Sequence, residues 1–124
     1  MPAIADLPIA SMTAVRARDR AGWLALFEPD ARVEDPVGGH PHYDPDGLGQ
    51  RGIEAIGRFY DIFSAVQSQM DFEVHHCVAC GEEVAAFVTM RFEMLDGSRS
   101  EQKMINIYKA SSAGRIASLR SFWG

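Results

Sequence analysis

Asp35 is the residue whose place in the sequence best suits acid–base chemistry. It ends a short strand predicted over residues 31–34 and precedes Pro36, which fixes the turn that follows. A carboxylate there would lie at the inner edge of a pocket, where partial loss of water raises its pKa and makes it a stronger base. The alternative is an aspartate that only caps the loop through its own backbone.

Asn106 and Trp123 are the polar side chains that could act with such a carboxylate. Asn106 stands between Ile105 and Ile107 in a predicted strand, so its amide would be buried and could donate to a ligand oxygen. An amide satisfied by neighbouring side chains or water is the alternative. The Trp123 indole can only donate, so we expect it to seek an acceptor such as Asp35, although core packing is the commoner use of tryptophan.

Hydrophobic spacing predicts the elements that position these residues. Apolar residues at helical spacing predict three helices, over 8–17, 20–27 and 52–68. Alternation with a period of two predicts four later strands, over 70–79, 84–94, 100–109 and 115–123. We therefore expect an α+β fold that occupies residues 1–124 as one domain, with helices packed on a curved, mostly antiparallel sheet around an apolar pocket.

The inner face of this sheet should supply much of the pocket wall. Along the strand predicted over 84–94, side chains point alternately to the two faces, so one apolar set must point inward. The inward set is Val84, Ala86, Val88, Met90 and Phe92. Ordinary core packing is the alternative role for each of them.

Residues 36–51 predict a loop at the mouth of the pocket. The segment is rich in proline and glycine and shows no periodicity. Loops of this length in compact domains are often functional lids. Its polar residues, His40, His42, Asp44 and Asp46, are explained more simply by a solvated lid than by a metal site.

Charge, length and cysteine spacing exclude several classes of function. The net charge is −5 and no two Lys or Arg residues are adjacent, so we expect no nucleic-acid or membrane partner. The start of the chain lacks a basic segment, and no apolar run reaches the ~18 residues of a membrane span, so we expect a cytoplasmic protein. Cys77 and Cys80 have the spacing of a redox or zinc motif, but in a strand they would face opposite ways, so we expect no metal.

Three stretches of the sequence are similar to the bacterial ketosteroid isomerases. They are residues 31–38, which contain Val-Glu-Asp-Pro-Val-Gly, residues 52–60, and residues 114–123. On these motifs the chain resembles the ketosteroid isomerase-like, or SnoaL-like, members of the NTF2-like superfamily. The resemblance implies the cone-shaped NTF2-like (cystatin-like) form of the α+β fold and an enzyme that needs no cofactor.

The resemblance also implies roles for particular residues. Asp35 falls on the catalytic base of the family, which moves a proton from C4 to C6 of a steroid through a dienolate, and Trp123 falls on the tryptophan that holds this base. Phe59 and Tyr60 match a Phe-Tyr pair on the pocket helix. With the inward strand residues, the expected substrate-binding set is Phe59, Val88, Met90, Phe92, Leu119 and Trp123.

Two positions depart from the family pattern. In the family, a tyrosine on the first helix and a protonated aspartate on a late strand donate hydrogen bonds to the developing oxyanion. Here Ser11 occupies the tyrosine position and Asn106 the aspartate position. Loss of one such donor typically costs about 10²–10³ in rate. Because Tyr60 shares a helical phase with Ile53 and Ile56, which should face the cavity, we predict that Tyr60 is a replacement donor.

The expected activity is a steroid delta-isomerase-like proton shift on a hydrophobic, steroid-like or polyketide-like ketone, with Asp35 as general base. The alternatives are other SnoaL-like chemistry (polyketide cyclisation, dehydration or epoxide hydrolysis) and a non-catalytic module that binds a small ligand. Members of the family are commonly dimers through the outer sheet face. Phe87, Ile105 and Ile107 give that face an apolar patch, so we expect a homodimer.

Overall fold

The computed structural model describes residues 2–124, so Met1, the first residue of the expected domain, lies outside the described part. A short 3₁₀ turn, Ile4–Asp6, leads into α1 (Leu7–Arg16), α2 (Arg20–Leu24), β1 (Phe27–Glu34), β2 (Gln50–Arg51) and α3 (Ile53–Ala65). Four longer strands follow: β3 (Gln67–Cys80), β4 (Glu83–Met94), β5 (Arg99–Ala110) and β6 (Ile116–Trp123). No helix within residues 2–124 is long and apolar enough to cross a membrane.

All six strands form one mixed sheet, in the order β2-β1-β6-β5-β4-β3. Strands β3 to β6 make the antiparallel meander that the alternating pattern predicts. Strand β1 pairs in parallel with β6, although the two lie at opposite ends of the sequence. The expected α+β fold with its curved, mostly antiparallel sheet is therefore confirmed, and the parallel pairing brings the residues after β1 beside the last strand.

Side-chain contacts with free backbone groups fasten the helices to each other. The Asp19 carboxylate accepts a hydrogen bond from the Gly22 N–H at 2.9 Å and so caps the N-terminus of α2. Arg18 donates to the carbonyl oxygens of Ser64 at 2.9 Å and Gln67 at 3.1 Å, where α3 ends and β3 begins. The Ser64 carbonyl, in the last turn of α3, has no partner within the helix, so Arg18 satisfies the end of α3 while it holds the α1–α2 pair against it.

Two apolar clusters form the interior. The first packs α2 and α3 on β1 and β6, with Trp23, Phe27, Ile56, Phe59 and Leu119 among its members. The second packs α1 on the middle of the sheet and consists of Met12, Met70, Ala86, Val88 and Met104. Residues of both clusters contribute to the wall of one cavity.

Several predicted boundaries differ from the structure. The third helix ends at Ala65 rather than 68, and β3 starts at Gln67 rather than 70. The second helix ends at Leu24 rather than 27, because the Leu26 carbonyl accepts a hydrogen bond from the Ile116 N–H at 2.7 Å and joins the sheet. Strand β1 therefore starts at Phe27 rather than 31. Its first half was not predicted, because Pro29 is unusual within a strand. The two-residue strand β2 lies inside the predicted loop and pairs with Arg32 and Val33 of β1.

Ile56 tests the packing of α3 on the sheet. This side chain is fully buried, so Ile56→Ala should lower the free energy of unfolding by about 2–5 kcal/mol through lost burial and a residual cavity. The matched control is Ile62→Ala on the same helix, where the side chain is 37% exposed and the loss should be much smaller. Denaturant titration of both variants measures the difference, and equal losses would contradict the described packing.

Candidate active site

Strand register brings Asp35 to the inside of the sheet. In the parallel pair of β1 and β6, Glu34 lies opposite Arg120, so the next residue, Asp35, comes level with Ser121. In the antiparallel pair of β5 and β6, Ser121 lies opposite Asn106. Asp35, Ser121 and Asn106 therefore form one row across three strands, although the sequence separates them widely.

Hydrogen bonds link this row and hold the carboxylate. Trp123 Nε1 donates to Asp35 Oδ1 at 2.7 Å, and the Ser121 hydroxyl donates to Asn106 Oδ1 at 2.6 Å. The Ser121 hydroxyl also reaches Asp35, but its single proton serves one acceptor at a time. The indole N–H is therefore the constant partner of the carboxylate, and the NH₂ group of Asn106 remains available to other acceptors.

Burial raises the pKa of Asp35 above its ordinary value of 3.8. The hydrogen bonds from Trp123 and Ser121 oppose this shift because they stabilise the charged form. The carboxyl group is half-buried by its accessible area, and it lines the cavity, which is itself mostly apolar. We conclude that desolvation dominates and that the site holds a carboxylate of increased basicity.

The cavity beside Asp35 has a volume of about 200 Å³ and a mainly apolar wall. The helices contribute Met12, Val15, Trp23, Phe59 and Phe63. The sheet contributes Met90, Phe92, Met94, Met104, Leu119 and Trp123. The four methionines make up a large share of this wall. A wall of this composition suits a hydrophobic ligand rather than a charged one.

Polar groups lie toward the two ends of this cavity. Ser11, Asp35, Asn106, Tyr108 and Ser121 surround one end, and Gln67, Ser100 and Gln102 lie toward the other. Asn106 and Ser100 are six residues apart on β5, or about 20 Å at the usual rise per strand residue. A ligand with one polar end and an apolar body would therefore place that end beside Asp35.

The loop between β1 and β2 packs against Trp123. Two of its residues, His40 and Tyr43, have ring centroids that lie 5.6 Å and 6.1 Å from the ring centroid of Trp123. The loop is tied to itself, because Asp44 Oδ2 accepts from the Gly49 N–H at 3.0 Å and Gln50 Nε2 donates to the Tyr43 carbonyl at 3.0 Å. The loop thus holds the indole on the carboxylate and adds Tyr43 to the cavity wall.

Most of the expected site residues lie together. Asp35 and Asn106 line the cavity, and so do five of the six expected substrate-binding residues: Phe59, Met90, Phe92, Leu119 and Trp123. Val88 does not line it. Val84, Ala86 and Val88 form the part of β4 that is buried completely in the core, where Met12 of α1 packs on Ala86 and Val88. Only the second half of the strand reaches the cavity.

Tyr60 does not reach the cavity, and the prediction that it is a donor there is wrong. Its ring packs on Trp23 in the first apolar cluster, with ring centroids 5.7 Å apart. Burial raises the pKa of its hydroxyl, and the charges that act on it belong to Arg18, Asp19, Arg20 and Asp61, which are on the outer side of the helices. Phe59 and Phe63 occupy the face of α3 that lines the cavity.

Tyr43 and Tyr108 are cavity residues that the sequence analysis did not identify. Tyr108 could have been found, because it lies two residues after Asn106 on the same face of β5. Tyr43 carries no such signal, since it lies in a loop without periodicity. Burial and the charge of Asp35 raise the pKa of the Tyr43 hydroxyl, which places this phenol near the carboxylate.

The cysteines lie away from this site. Cys77 and Cys80 are exposed, unpaired residues of the edge strand β3. Within residues 2–124, no group of three or more His, Cys, Asp or Glu side chains is arranged to hold a metal ion.

Comparison with known proteins gives the family. The family model of the SnoaL-like domain matches residues 9–119. The chain is 31% identical to RV0760c from Mycobacterium tuberculosis, solved in complex with estradiol-17beta-hemisuccinate, over 99% of this chain and 95% of that chain, with a TM-score of 0.87. It is 28% identical to a Delta 5-3-ketosteroid isomerase from Mycobacterium sp., over 98% of this chain and 92% of that one, with a TM-score of 0.86.

A computationally designed 17-OHP binder has the same fold, with 29% identity, coverage of 99% and 95%, and a TM-score of 0.89. The family model covers most of the chain, and the similar structures extend over nearly all of it. The chain therefore belongs to the SnoaL-like domain family and is a ketosteroid isomerase-like member of the NTF2-like superfamily.

Proposed function

We propose that this protein is a cofactor-free isomerase that shifts a proton on a hydrophobic, steroid-like ketone, with Asp35 as the general base. The observation that carries the proposal is the Asp35 carboxylate itself, which faces an apolar cavity and accepts a hydrogen bond from Trp123 Nε1 at 2.7 Å. Burial raises the pKa of this carboxyl, so its ionised form is poorly solvated and more basic, which suits removal of a proton next to a carbonyl.

The proposed reaction has two proton transfers. The Asp35 carboxylate takes a proton from C4 of a 5-ene-3-ketosteroid, and the electron pair moves onto the ketone oxygen to form a dienolate. The protonated Asp35 then returns the proton to C6, and the double bond comes to lie between C4 and C5. Because the Ser121 hydroxyl occupies Asn106 Oδ1, the NH₂ group of Asn106 is the donor proposed for the ketone oxygen while that oxygen carries negative charge.

Two comparisons support a steroid-like substrate. RV0760c was solved with a steroid ligand, and the Mycobacterium enzyme is itself a ketosteroid isomerase. The apolar wall of the cavity and its polar end beside Asp35 fit a ligand of this class. A flat ring system with one ketone would bury its body against the methionines and phenylalanines and its oxygen near Asn106.

A second candidate is a ligand-binding module without catalysis. Two observations favour it: the designed 17-OHP binder shares this fold, and Ser11 stands where the family resemblance implies a catalytic tyrosine. The two candidates differ in turnover. An isomerase converts 5-ene-3-ketosteroid to the conjugated 4-ene product, which absorbs in the ultraviolet, whereas a binding module only retains the steroid.

The role of Asp35 is tested with Asp35→Asn. Removal of a general base should lower kcat by about 10²–10⁴-fold, measured by the rise in ultraviolet absorption of the conjugated product. The control is Asp46→Asn, which changes an exposed carboxylate of the neighbouring loop and should leave kcat unchanged. Wild-type protein without turnover, or an Asp35→Asn variant with full activity, would contradict the proposal.

The same variant has a second readout, because the raised pKa of Asp35 links its ionisation to stability. The folded protein binds this proton more tightly than the unfolded chain, so stability falls as the pH rises through the raised pKa. Asp35→Asn removes this penalty. Its Tm should exceed that of the wild type at pH 7, and the difference should disappear in acid, where Asp35 is protonated in both states.

The pH dependence of activity tests the contact with Trp123. Because the ionised base is the active form, kcat/KM should rise with pH through the pKa of Asp35 and then reach a plateau, since Asn106 does not titrate. The indole N–H lowers this pKa, so Trp123→Phe should move the rising limb to higher pH. A limb that stays in place or moves to lower pH would show that the indole does not stabilise the carboxylate.

The proposed active form is a homodimer built on the outer face of the sheet. Phe87, Ile105 and Phe122 lie opposite one another on β4, β5 and β6, and they are 41%, 46% and 38% exposed. This row faces away from the cavity. A second copy, turned about a two-fold axis, presents the same row and would cover it.

Ile105→Asp tests the dimer, since it places a charge at the centre of this row. Light scattering coupled to size-exclusion chromatography should show a dimer for the wild type and a monomer for the variant. The control is Leu95→Asp, which charges an exposed apolar residue of the β4–β5 turn outside the row and should leave the dimer intact. A monomeric wild type would exclude the dimer.

A further inference from the structure

A phenol lies at the polar end of the cavity, next to Asn106. Tyr108 is on the inner face of β5, opposite Val84 of β4 and Leu119 of β6. Its side chain is only 1% exposed, yet it belongs to the cavity wall. The side chains of Ser11 and Asn106 lie beside its hydroxyl. No step of the reaction described above uses this group.

The neighbouring hydrogen bonds leave Ser11 and Asn106 with protons that they can donate to the Tyr108 oxygen. Trp23 Nε1 donates to Ser11 Oγ at 3.0 Å, so the Ser11 oxygen already acts as an acceptor and its own proton is free to be donated. The Ser121 hydroxyl donates to Asn106 Oδ1, so the NH₂ group is the part of that amide still free to hydrogen-bond. Ser11 and Asn106 therefore both present donors to the phenol oxygen.

A hydroxyl that accepts two hydrogen bonds can still donate one through its own proton. Because its protein neighbours are donors, the Tyr108 proton finds its acceptor in a ligand at the polar end of the cavity. The NH₂ group of Asn106 has a second N–H, and Asn106 lines the same end of the cavity. Two fixed donors that converge on one oxygen are the arrangement that stabilises an oxyanion.

We infer that Tyr108 is a catalytic residue that donates a hydrogen bond to the ketone oxygen together with Asn106, and that Ser11 and Trp23 are the positioning residues of its hydroxyl. The inference rests on the proposed isomerase function and extends it. It assigns to the third strand of the meander a role that the sequence analysis had given to Tyr60.

The protonation state of Tyr108 supports this role. Burial raises the pKa of its hydroxyl, and the negative charge of Asp35 acts in the same direction. The hydrogen bonds with Ser11 and Asn106 oppose the shift only in part. Tyr108 therefore keeps its proton at neutral pH, as a donor must.

The other two tyrosines are less well placed. Tyr60 lies outside the cavity wall, as described above. Tyr43 lines the cavity, but its ring lies beside those of Trp123 and Phe59, with centroids 6.1 and 6.2 Å apart, and its hydroxyl has no Asn106 partner with which to form a pair of donors.

Tyr108→Phe tests the inference in the full-length protein. The variant keeps the ring and removes only the hydroxyl, so kcat on a 5-ene-3-ketosteroid should fall about 10²–10³-fold with a smaller change in KM. Tyr60→Phe is the matched control and should keep wild-type kcat, because its hydroxyl lies outside the cavity. Wild-type kcat in Tyr108→Phe would overturn the inference. A loss of kcat of about 10²–10³-fold in Tyr43→Phe but not in Tyr108→Phe would also overturn it.

Binding of estradiol separates this inference from the proposed function. The phenol oxygen of estradiol resembles the dienolate oxygen, so Tyr108→Phe should weaken its binding at least tenfold in a fluorescence titration, whereas Tyr60→Phe should not. If the wild type shows no turnover but this loss appears, the isomerase function fails and the donor role remains. If the wild type shows turnover but Tyr108→Phe changes neither kcat nor estradiol binding, only the donor role of Tyr108 is contradicted. If neither turnover nor binding is found, both fail.

Ser11→Ala gives a second route should Tyr108→Phe not fold. It removes the hydrogen-bond partner of the phenol but leaves the phenol itself, and so it should lower kcat by a smaller factor than Tyr108→Phe while KM changes little. Estradiol affinity should fall in the same proportion. A purely structural Ser11 would change Tm without changing kcat, and that result would overturn its positioning role and the hydrogen-bond chain that depends on it.

Discussion

The single contact on which this site depends is the 2.7 Å hydrogen bond between the Trp123 indole and the Asp35 carboxylate. It joins residues that are 88 positions apart in the chain, and the parallel pairing of β1 with β6 makes them neighbours. The rings of His40 and Tyr43 then pack on the indole from the loop side. The register of the sheet, the last strand and the loop therefore all help to stabilise the Asp35 carboxylate, a charge that apolar surroundings would otherwise disfavour.

The fold was predictable where local patterning decides it. The alternating residues of β4 and an Asp-Gly turn at residues 96–97 make the meander predictable from the sequence. The pairing partners of β1 could not be predicted, because this short strand contains Pro29 and has no clear alternation of apolar and polar residues. Its length and direction come from contacts with β6, and the Leu26 to Ile116 hydrogen bond that starts it spans most of the chain.

The candidate site was predictable in part, for similar reasons. Asp35 stands out because of the proline after it, and Asn106 because it is a polar residue among isoleucines. Tyr60 misled because its helical phase does mark it as buried, but burial on α3 is divided between the core around Trp23 and the cavity wall. Nothing in a helical period distinguishes these two environments. Tyr108 was overlooked because an aromatic residue in a strand usually serves only packing.

The methionines in the cavity wall determine how strictly this protein can choose its ligand. Met12, Met90, Met94 and Met104 have unbranched, polarizable thioether side chains that rotate with little cost. Side chains of this kind can adjust to different ring skeletons, so the wall does not select a ligand by a fixed shape. Discrimination then falls to the few immobile polar atoms at one end, so we expect broad tolerance for the body of a molecule and strict demands on its functional group.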